Sequence, residues 1–535
     1  MKKELLLIAV FALHFCGMAQ VEDAWVFFTD KENVVSSLAN PISILTQDAI
    51  DRKANHGVSI DERDVPVNEA YITQVKNETG ISVWAKSKWF NAIHVRGTID
   101  DINALLDLNF VDNVEFANRD LNTNREMNPI EDKFTIENTR VDFNYGNTLN
   151  QVEMLNLQSL HEQDYTGSGV VIAVMDSGFP GVNTISPFQR MRDAGNLMGG
   201  YDFVDQTADV YAFSSSDHGT KVLSTMGGFI QDQFVGTAPD ATYYLFRTED
   251  VFSETPVEES YWVEAAERAD SLGVDVINTS LGYKGYDNPN YSYSSADMDG
   301  QTAFITRGAD IAAEKGIFLV NSAGNSGTNG VNAPADAAGV FSIGAVDSAG
   351  IYASFSSQGS LFQPVHKPDV MARGAASYVI NFAGNMTQNN GTSFSSPIMA
   401  GAVACLMQAL PNIEVNTLKD AIRESASQFS SPDFMMGYGI PDFGEALTIG
   451  LSLAEVTDLE FRAWPNPVDE ILYFNLPAEV ESVQVRIFDV LGKLVLDTSI
   501  LNNQPYADLR SLSSGIYMAQ IQYSAANKTI KLIKN

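Results

Sequence analysis

The chain contains four widely spaced residues whose side chains can cooperate in acyl transfer, in the order Asp176, His218, Asn325 and Ser393. A serine hydroxyl is a weak nucleophile until a base takes its proton, and an imidazole base needs an anion to fix its tautomer and stabilise its charged form. A side-chain amide can donate a hydrogen bond to the oxyanion that develops at the attacked carbonyl. We therefore expect Ser393 to be the nucleophile, His218 the base, Asp176 its orienting anion and Asn325 the oxyanion donor.

Each of the four residues also has a purely structural interpretation. Asp176 could end a strand, and His218 could cap a helix or lie in solvent. Ser393 could cap the apolar helix that follows it, because hydroxyls often do so before an early proline. Asn325 could occupy a left-handed turn beside Gly324. Chemistry is therefore expected only if the fold brings the four side chains together.

Short apolar runs alternate with helical patterns from Gly167 onward, over about 290 residues. Such alternation predicts an α/β domain with a doubly wound parallel sheet, in which reactive groups lie beyond the carboxyl ends of the strands. The predicted strands are Val170–Met175, Val274–Ile277, Ile317–Val320 and Val340–Ala345, and the predicted helices are Val257–Leu272 and Thr302–Lys315. Asp176 directly follows the first of these strands, and Asn325 lies just past the third.

Length and charge limit the class of protein. The 535 residues are enough for three or four structural units, and 45% hydrophobic against 19% charged residues is typical of folded chain. With 67 acidic and 33 basic side chains the formal charge is -34, which argues against nucleic-acid binding through a basic surface. The apolar run Ile398–Leu410 is shorter than the roughly 20 residues of a membrane span, so a buried helix is expected there.

The N-terminus is typical of an export signal. Lys2 and Lys3 precede the apolar stretch Leu5–Phe15, and Gly17-Met18-Ala19 is a small-x-small cleavage site. We expect residues 1–19 to be removed. Cleavage there would also remove Cys16 and leave Cys405 as a single cysteine, without a partner for an intramolecular disulfide.

The composition pattern divides the remaining chain into four parts. Residues 20–118 are predicted to form a small α+β unit, 119–154 a polar linker, 155–453 the α/β domain, and 454–535 an all-β sandwich. In the first unit a strand-like stretch is expected over Ile81–His94, a helix over Asp100–Leu106 and a strand over Val111–Phe116. In the last unit, short strands are separated by turns such as Pro465-Asn466-Pro467.

Four short blocks resemble the signature blocks of the subtilisin-like serine peptidases, in that family's order along the chain. They are Asp176-Ser177-Gly178, His218-Gly219-Thr220, Ser322-Ala323-Gly324-Asn325 and Gly391-Thr392-Ser393-Phe394-Ser395-Ser396-Pro397. The resemblance covers about residues 155–450 and implies hydrolysis of peptide bonds in protein or peptide substrates. It further implies that Ser280-Leu281-Gly282 and Ser322-Ala323-Gly324 form the two walls of the pocket for the residue before the scissile bond. A strand-ending turn is the alternative for Ser280-Leu281-Gly282.

Two further resemblances concern the flanking units. The first unit is similar to the N-terminal propeptide of these peptidases, which implies that the chain's own propeptide acts as an intramolecular inhibitor; a substrate-binding module is the alternative. The tail, with Trp464-Pro465-Asn466-Pro467 and Leu512-Ser513-Ser514-Gly515-Ile516-Tyr517, resembles the type A sorting domain of the type IX secretion system of Bacteroidetes. It implies export through the outer membrane by that machinery, to the cell surface or the medium. An adhesion or carbohydrate-binding sandwich is the alternative.

The resemblance implies no cofactor for catalysis and allows structural calcium. Asp297-Met298-Asp299-Gly300 is similar to part of a calcium loop but lacks most of the ligand spacing, so no ligand is assigned. Two other functions remain open at this point. One is a catalytically silent surface-binding or adhesion protein on a peptidase scaffold, and the other is an esterase.

Overall fold

The computed structural model describes residues 21–122, 143–458, 462–475, 482–489, 493–502, 504–523 and 526–535. The predicted signal segment 1–19 and most of the predicted linker lie outside the described residues. Three units are present: an N-terminal α+β unit, a large α/β unit and a C-terminal all-β unit, each with its own apolar core. This confirms the predicted fold class.

The N-terminal unit, called the pro unit below, is an antiparallel sheet in the order β2-β3-β1-β4 with helices packed on it. Its strands are β1 (Val21–Phe28), β2 (Ser82–Ser87), β3 (Ala92–Thr98) and β4 (Val111–Phe116), and its helices are α1 (Val34–Ala39), α2 (Gln47–Asn55), α3 (Glu69–Lys76) and α4 (Ile99–Ala104). The stretch Ile81–His94, expected as one strand-like element, is in fact β2, a turn and the start of β3. The turn includes Asn91 at a φ of 49°.

The α/β unit is built on a seven-stranded sheet in the order β13-β12-β11-β10-β5-β9-β6, and all pairings in it are parallel. Its strands are β5 (Val171–Asp176), β6 (Leu197–Asp202), β9 (Thr242–Arg247), β10 (Val276–Thr279), β11 (Phe318–Ser322), β12 (Val340–Val346) and β13 (Val370–Arg373). Two small hairpins are β7 (Phe229–Ile230) with β8 (Phe234–Val235) and β14 (Ser377–Ile380) with β15 (Met386–Asn389). Helices cover both faces of the sheet, which explains why its strands are continuous apolar runs.

The helices of this unit are α5 (Leu149–Glu153), α6 (Gln158–His161), α7 (Gln189–Asp193), α8 (His218–Gly227), α9 (Val257–Leu272), α10 (Phe304–Glu314), α11 (Thr392–Ala409), α12 (Val415–Glu424) and α13 (Phe443–Asp458). Helix α9 has the predicted bounds. Helix α5 lies within the predicted linker, and its Val152 is fully buried in the core of the α/β unit. The predicted buried helix is the second part of α11, which runs through the centre of the core and encloses Cys405.

The strand order reverses beside β5, because the chain passes from β5 to β6 and β9 on one side and then to β10 on the other. Clefts at the carboxyl ends of parallel strands form at such a reversal. Asp176 ends β5, Ser280 follows β10 and Ser322 ends β11. The sheet therefore brings three of the predicted site segments to one edge.

The C-terminal unit contains two antiparallel sheets, β16-β17-β20 and β19-β18-β21-β22, around a common apolar core. Its strands are β16 (Arg462–Trp464), β17 (Ile471–Asn475), β18 (Ser482–Asp489), β19 (Leu494–Leu501), β20 (Tyr506–Asp508), β21 (Gly515–Tyr523) and β22 (Ala526–Lys534). The sandwich prediction is confirmed. The lysine-rich C-terminal end is itself the last strand, and it places Leu532 in the core.

Candidate active site

Asp176 is the last residue of β5 and is completely buried. Its Oδ1 accepts hydrogen bonds from the Ser177 N–H at 2.7 Å and the Ser177 hydroxyl at 3.3 Å, and lies 2.8 Å from Nδ1 of His218. The aspartate is thus held in one orientation by its neighbour in the chain. A fixed carboxylate of this kind can set the tautomer of the imidazole that donates to it.

His218 is the first residue of α8, and about a third of its side chain is exposed. Gly219 permits this position, because a Cβ on it would lie 2.6 Å from the carbonyl oxygen of Gly178. Burial alone would lower the pKa of His218, but the charge of Asp176 and the hydrogen bond to it outweigh burial and raise the pKa above its usual value. The imidazole can therefore hold a proton that it takes from a nucleophile.

Ser393 is the second residue of α11, not a residue ahead of the helix as its glycine-rich approach suggests. Pro397 has no N–H to donate to the carbonyl oxygen four residues earlier, which is that of Ser393. The hydroxyl of Ser280 donates to this oxygen instead, at 3.0 Å, and the Ser393 hydroxyl donates to the Ser280 carbonyl at 3.2 Å. The two serines thus tie the start of α11 to the end of β10.

Asn325 follows β11 and is exposed. Its Oδ1 accepts hydrogen bonds from the Thr392 N–H at 2.9 Å and the Thr392 hydroxyl at 3.0 Å. With the oxygen committed in this way, Nδ2 points away from Thr392 and lies 3.7 Å from where a Cβ on Gly391 would be. The amide is therefore presented as a donor beside the residue that precedes Thr392 and Ser393.

The two predicted wall segments leave adjacent parallel strands side by side, since Thr279 of β10 is in register with Asn321 of β11. The side-chain amide of Asn321 donates to the carbonyl of Leu281 at 3.2 Å and joins the segments at their base. Gly282 is exposed, and Gly324 has a φ of +107°, which a residue with a Cβ rarely adopts. The segments Ser280-Leu281-Gly282 and Ser322-Ala323-Gly324 therefore lie side by side, and each ends in a glycine.

The structure thus brings Asp176 and His218 into direct contact and places Ser393 and Asn325 on the neighbouring segments. The Ser393 hydroxyl donates its hydrogen bond to the Ser280 carbonyl in this structure. In enzymes without bound substrate, the hydrogen bond between nucleophile and base is often long and tightens only when substrate binds. Sequence reasoning missed the roles of Thr392 and Pro397. Pro397 carried a signal, because a proline beyond the first turn of a helix frees one carbonyl.

The two acidic residues of the partial calcium motif are engaged elsewhere. Asp299 accepts from the N–H groups of Gln301 and Thr302 at 2.9 and 2.8 Å, and Asp297 pairs with Arg119 at 2.7 Å. Across the described ranges, no group of three or more potential ligand side chains is placed to hold a metal ion. The donor sets of these two residues therefore do not fit calcium.

Three parts of the chain match known domain families. Residues 23–133 match the peptidase S8 propeptide domain of Bacteroidota, residues 167–439 the subtilase family, and residues 462–535 a secretion system C-terminal sorting domain. Subtilisin of Bacillus pumilus is 33% identical over 294 residues, which are 54% of this chain and 94% of that protein. Subtilisin E of Bacillus subtilis is 32% identical over 294 residues, 54% of this chain and 68% of that protein. A crystal structure of MycP1 from Mycobacterium smegmatis is similar at 22% identity with a TM-score of 0.45, over 59% of this chain and 88% of that chain.

The sorting domain confirms the expected export by the type IX system, to the cell surface or the medium. In the part of the chain that the structure describes, no helix is both long and apolar enough to cross a bilayer. The subtilase match spans more than half of the 535 residues. The chain belongs to the subtilase family: it is a subtilisin-like serine endopeptidase with a Bacteroidota-type propeptide and a C-terminal sorting domain.

Proposed function

We propose that this endopeptidase cleaves peptide bonds through Ser393, His218, Asp176 and Asn325. His218 takes the Ser393 hydroxyl proton as the serine oxygen attacks the scissile carbonyl, and then gives that proton to the leaving amine. Asp176 holds the imidazole through its Nδ1–H and stabilises the imidazolium, while Nδ2 of Asn325 donates to the oxyanion. Water then repeats the sequence on the acyl-enzyme. The observation that carries this proposal is the 2.8 Å contact between His218 Nδ1 and the buried Asp176.

The wall segments support peptide substrates over simple esters. Leu281 is half-buried and Gly282 is exposed, and both directly follow Ser280, whose hydroxyl donates to the Ser393 carbonyl. An extended peptide can add to such an edge by backbone hydrogen bonds and thereby place its carbonyl at the serine. The substrates we propose are therefore unfolded or locally extended protein segments.

Covalent labelling tests the assignment of the nucleophile. The active enzyme, treated with an organofluorophosphate, should gain one phosphoryl adduct on the peptide that contains Ser393, because only a hydroxyl paired with a base reacts rapidly. Prior replacement of His218 by alanine should prevent the reaction. An adduct on another residue, or none in a folded protein, would instead favour a catalytically silent scaffold.

We further propose that the pro unit acts as the chain's own inhibitor. It packs on the outer side of α9, where the carboxylate of Glu267 accepts from the N–H groups of Lys88 and Trp89 at 2.9 and 3.0 Å. At its end, Arg119 donates to the carbonyl of Ser292 at 3.1 Å, in the segment that follows the wall residue Gly282. The pro unit is therefore attached both to α9 and to the segment that follows Gly282.

A third attachment uses buried charges at the C-terminal end of α9. Asp270 is completely buried and lies 2.7 Å from Nζ of Lys53 and 2.5 Å from a guanidinium nitrogen of Arg52, both on α2. Burial on its own would raise the pKa of Asp270, but the charges of Lys53 and Arg52 outweigh it and lower the pKa to about 2. We propose that this ion-paired anchor holds α2 on the enzyme.

Replacing Asp270 by asparagine should release this anchor. Removing one partner of a buried ion pair leaves uncompensated charge and costs about 3 kcal/mol, equivalent to roughly 10²-fold faster amide exchange in α2. Hydrogen exchange would be measured in a chain that also carries Ser393→Ala, so that the pro unit stays attached. Arg268→Ala is the matched control, since Arg268 is exposed on the same helix. If α2 exchanged equally slowly in both, Asp270 would not be the anchor.

A further inference from the structure

The enzyme segment that follows Gly282 contacts one guanidinium group of the pro unit through three different groups. The guanidinium is that of Arg119, which comes shortly after β4. One of its nitrogens lies 2.7 Å from Oδ1 of Asp297, and another donates to the Ser292 carbonyl at 3.1 Å. The ring of Tyr293 lies against the same group, with its centroid 4.9 Å from the guanidinium carbon. A carboxylate, a carbonyl and an aromatic face together are a set of groups that recognises arginine.

Contacts within the enzyme hold these groups in place. Oδ2 of Asp297 accepts from the N–H of Ser294 at 2.6 Å, which leaves Oδ1 for the guanidinium. Tyr293 donates its hydroxyl to the buried Glu259 at 2.8 Å and its N–H to the carbonyl of Lys284 at 2.7 Å. None of these bonds involves the pro unit. The arginine site therefore belongs to the enzyme and stays formed when the pro unit leaves.

The arginine site also lies beside the path proposed for an extended substrate. Ser280 is bonded to Ser393, so the scissile carbonyl lies at the Ser280 end of the wall segment 280–282. The substrate residues before that carbonyl lie along the wall and continue toward Lys284, to which Tyr293 is bonded. A side chain several residues before the scissile bond can therefore reach the site.

We infer that Asp297, Tyr293 and the Ser292 carbonyl form a substrate-binding site for an arginine several residues before the scissile bond. The inference rests on the proposed function, in which the pro unit inhibits the enzyme until it is released. Arg119 precedes the linker to the enzyme, so it too lies on the N-terminal side of any cut made in that linker. The Asp297 side chain is only 26% exposed while it is paired, and release of the pro unit uncovers a carboxylate that has lost its arginine.

Quenched fluorescent peptides of one sequence, with a single arginine moved stepwise away from the scissile bond, test this site on the enzyme freed of its pro unit. Citrulline replaces arginine in the matched peptides, because it has the same shape without the charge. At one position, kcat/KM should be about tenfold higher with arginine, through ion pairing and ring stacking. The gain should appear as a lower KM with kcat unchanged, since this contact is the same in the ground state and the transition state.

Asp297→Asn provides a second test, because it removes the charge but keeps an oxygen that can accept from Ser294. The ratio of arginine to citrulline rates should fall to within about twofold of unity. Asp299→Asn is the matched control: it removes the same charge two residues further along the segment. Asp299 accepts from the N–H groups of Gln301 and Thr302 and does not contact the arginine site. Its ratio should stay at about tenfold.

The outcomes separate this site from the catalytic assignment. Active enzyme, labelled at Ser393, that cleaves the arginine and citrulline peptides equally at every position would overturn the arginine site alone. A gain at all positions that Asp297→Asn and Asp299→Asn reduce equally would overturn it too, because it would reflect only the general attraction of an acidic protein for cations. Enzyme that cleaves no peptide and is not labelled would instead overturn the proposed function.

Discussion

Ser393→Ala is expected to lower kcat on a denatured protein substrate by about 10⁶-fold, the order of magnitude established for loss of the nucleophile in subtilisin itself. The substitution removes only the hydroxyl group of the side chain. Its removal leaves the Ser280 hydroxyl free to donate to the Ser393 carbonyl at 3.0 Å, so the start of α11 should stay in place. The loss should therefore appear in kcat, with KM for peptide substrates little changed.

The same change should also leave the precursor intact, if the enzyme removes its own pro unit. Mass spectrometry of the purified chain measures this directly, alongside release of peptides from the substrate. Ser395→Ala is the matched control, since Ser395 is buried two residues further along α11 and its hydroxyl only donates to the Thr392 carbonyl, at 3.1 Å. Turnover within about tenfold of wild type in the Ser393 variant would rule out Ser393 as the nucleophile, because the chemistry has no route without it.

Elements with a local signal could be predicted from the sequence, and α9 is the clearest case. Its two ends, Val257 and Leu272, coincide with the prediction because Pro256 lies at one end and Gly273, at a φ of 83°, at the other. The apolar run predicts that β5 ends at Met175. In the structure Asp176 also pairs with Arg247 on β9, so the strand is one residue longer at this end. Backbone hydrogen bonding determines where the strand ends, and the hydropathy of the sequence does not predict it.

The hairpin of β2 and β3 could not be predicted in the same way. Its turn contains no glycine or proline, and the N–H groups of Lys88 and Trp89 in it are satisfied by Glu267, which is almost 180 residues away. The stabilising partner belongs to another unit, and the local signal is limited to Asn91, whose positive φ asparagine tolerates.

In the candidate site, too, the residue types could be predicted from the sequence, whereas the contacts between distant residues could not. The residue types and order of Asp176, His218 and Ser393 carried the chemical hypothesis, because each is a group with a defined role in acyl transfer. The contacts that position them are not local: Thr392 holds Asn325, and Ser280 holds Ser393, across separations of 67 and 113 residues. Sequence reasoning could name the candidate reacting groups but not the residues that orient them.

Asn325→Leu is expected to lower kcat by about 10² to 10³-fold, with KM little changed; the figure is that for loss of the oxyanion amide in subtilisin. Leucine has nearly the shape of asparagine but no N–H to donate, so only the charge developing in the transition state loses its partner. The ground-state carbonyl is less charged and loses less. Steady-state rates on one peptide anilide give kcat and KM separately.

Two further variants distinguish donation to the oxyanion from a merely structural role. Ser326→Ala changes the next exposed residue and should leave kcat unaltered. Thr392→Val removes one of the two hydrogen bonds to Oδ1 but keeps the backbone N–H at 2.9 Å, so Nδ2 remains near its position and the loss should be about tenfold or less. If Asn325→Leu raised KM and left kcat unchanged, the amide would bind substrate and transition state equally. The oxyanion would then have to be stabilised by backbone N–H groups at the start of α11.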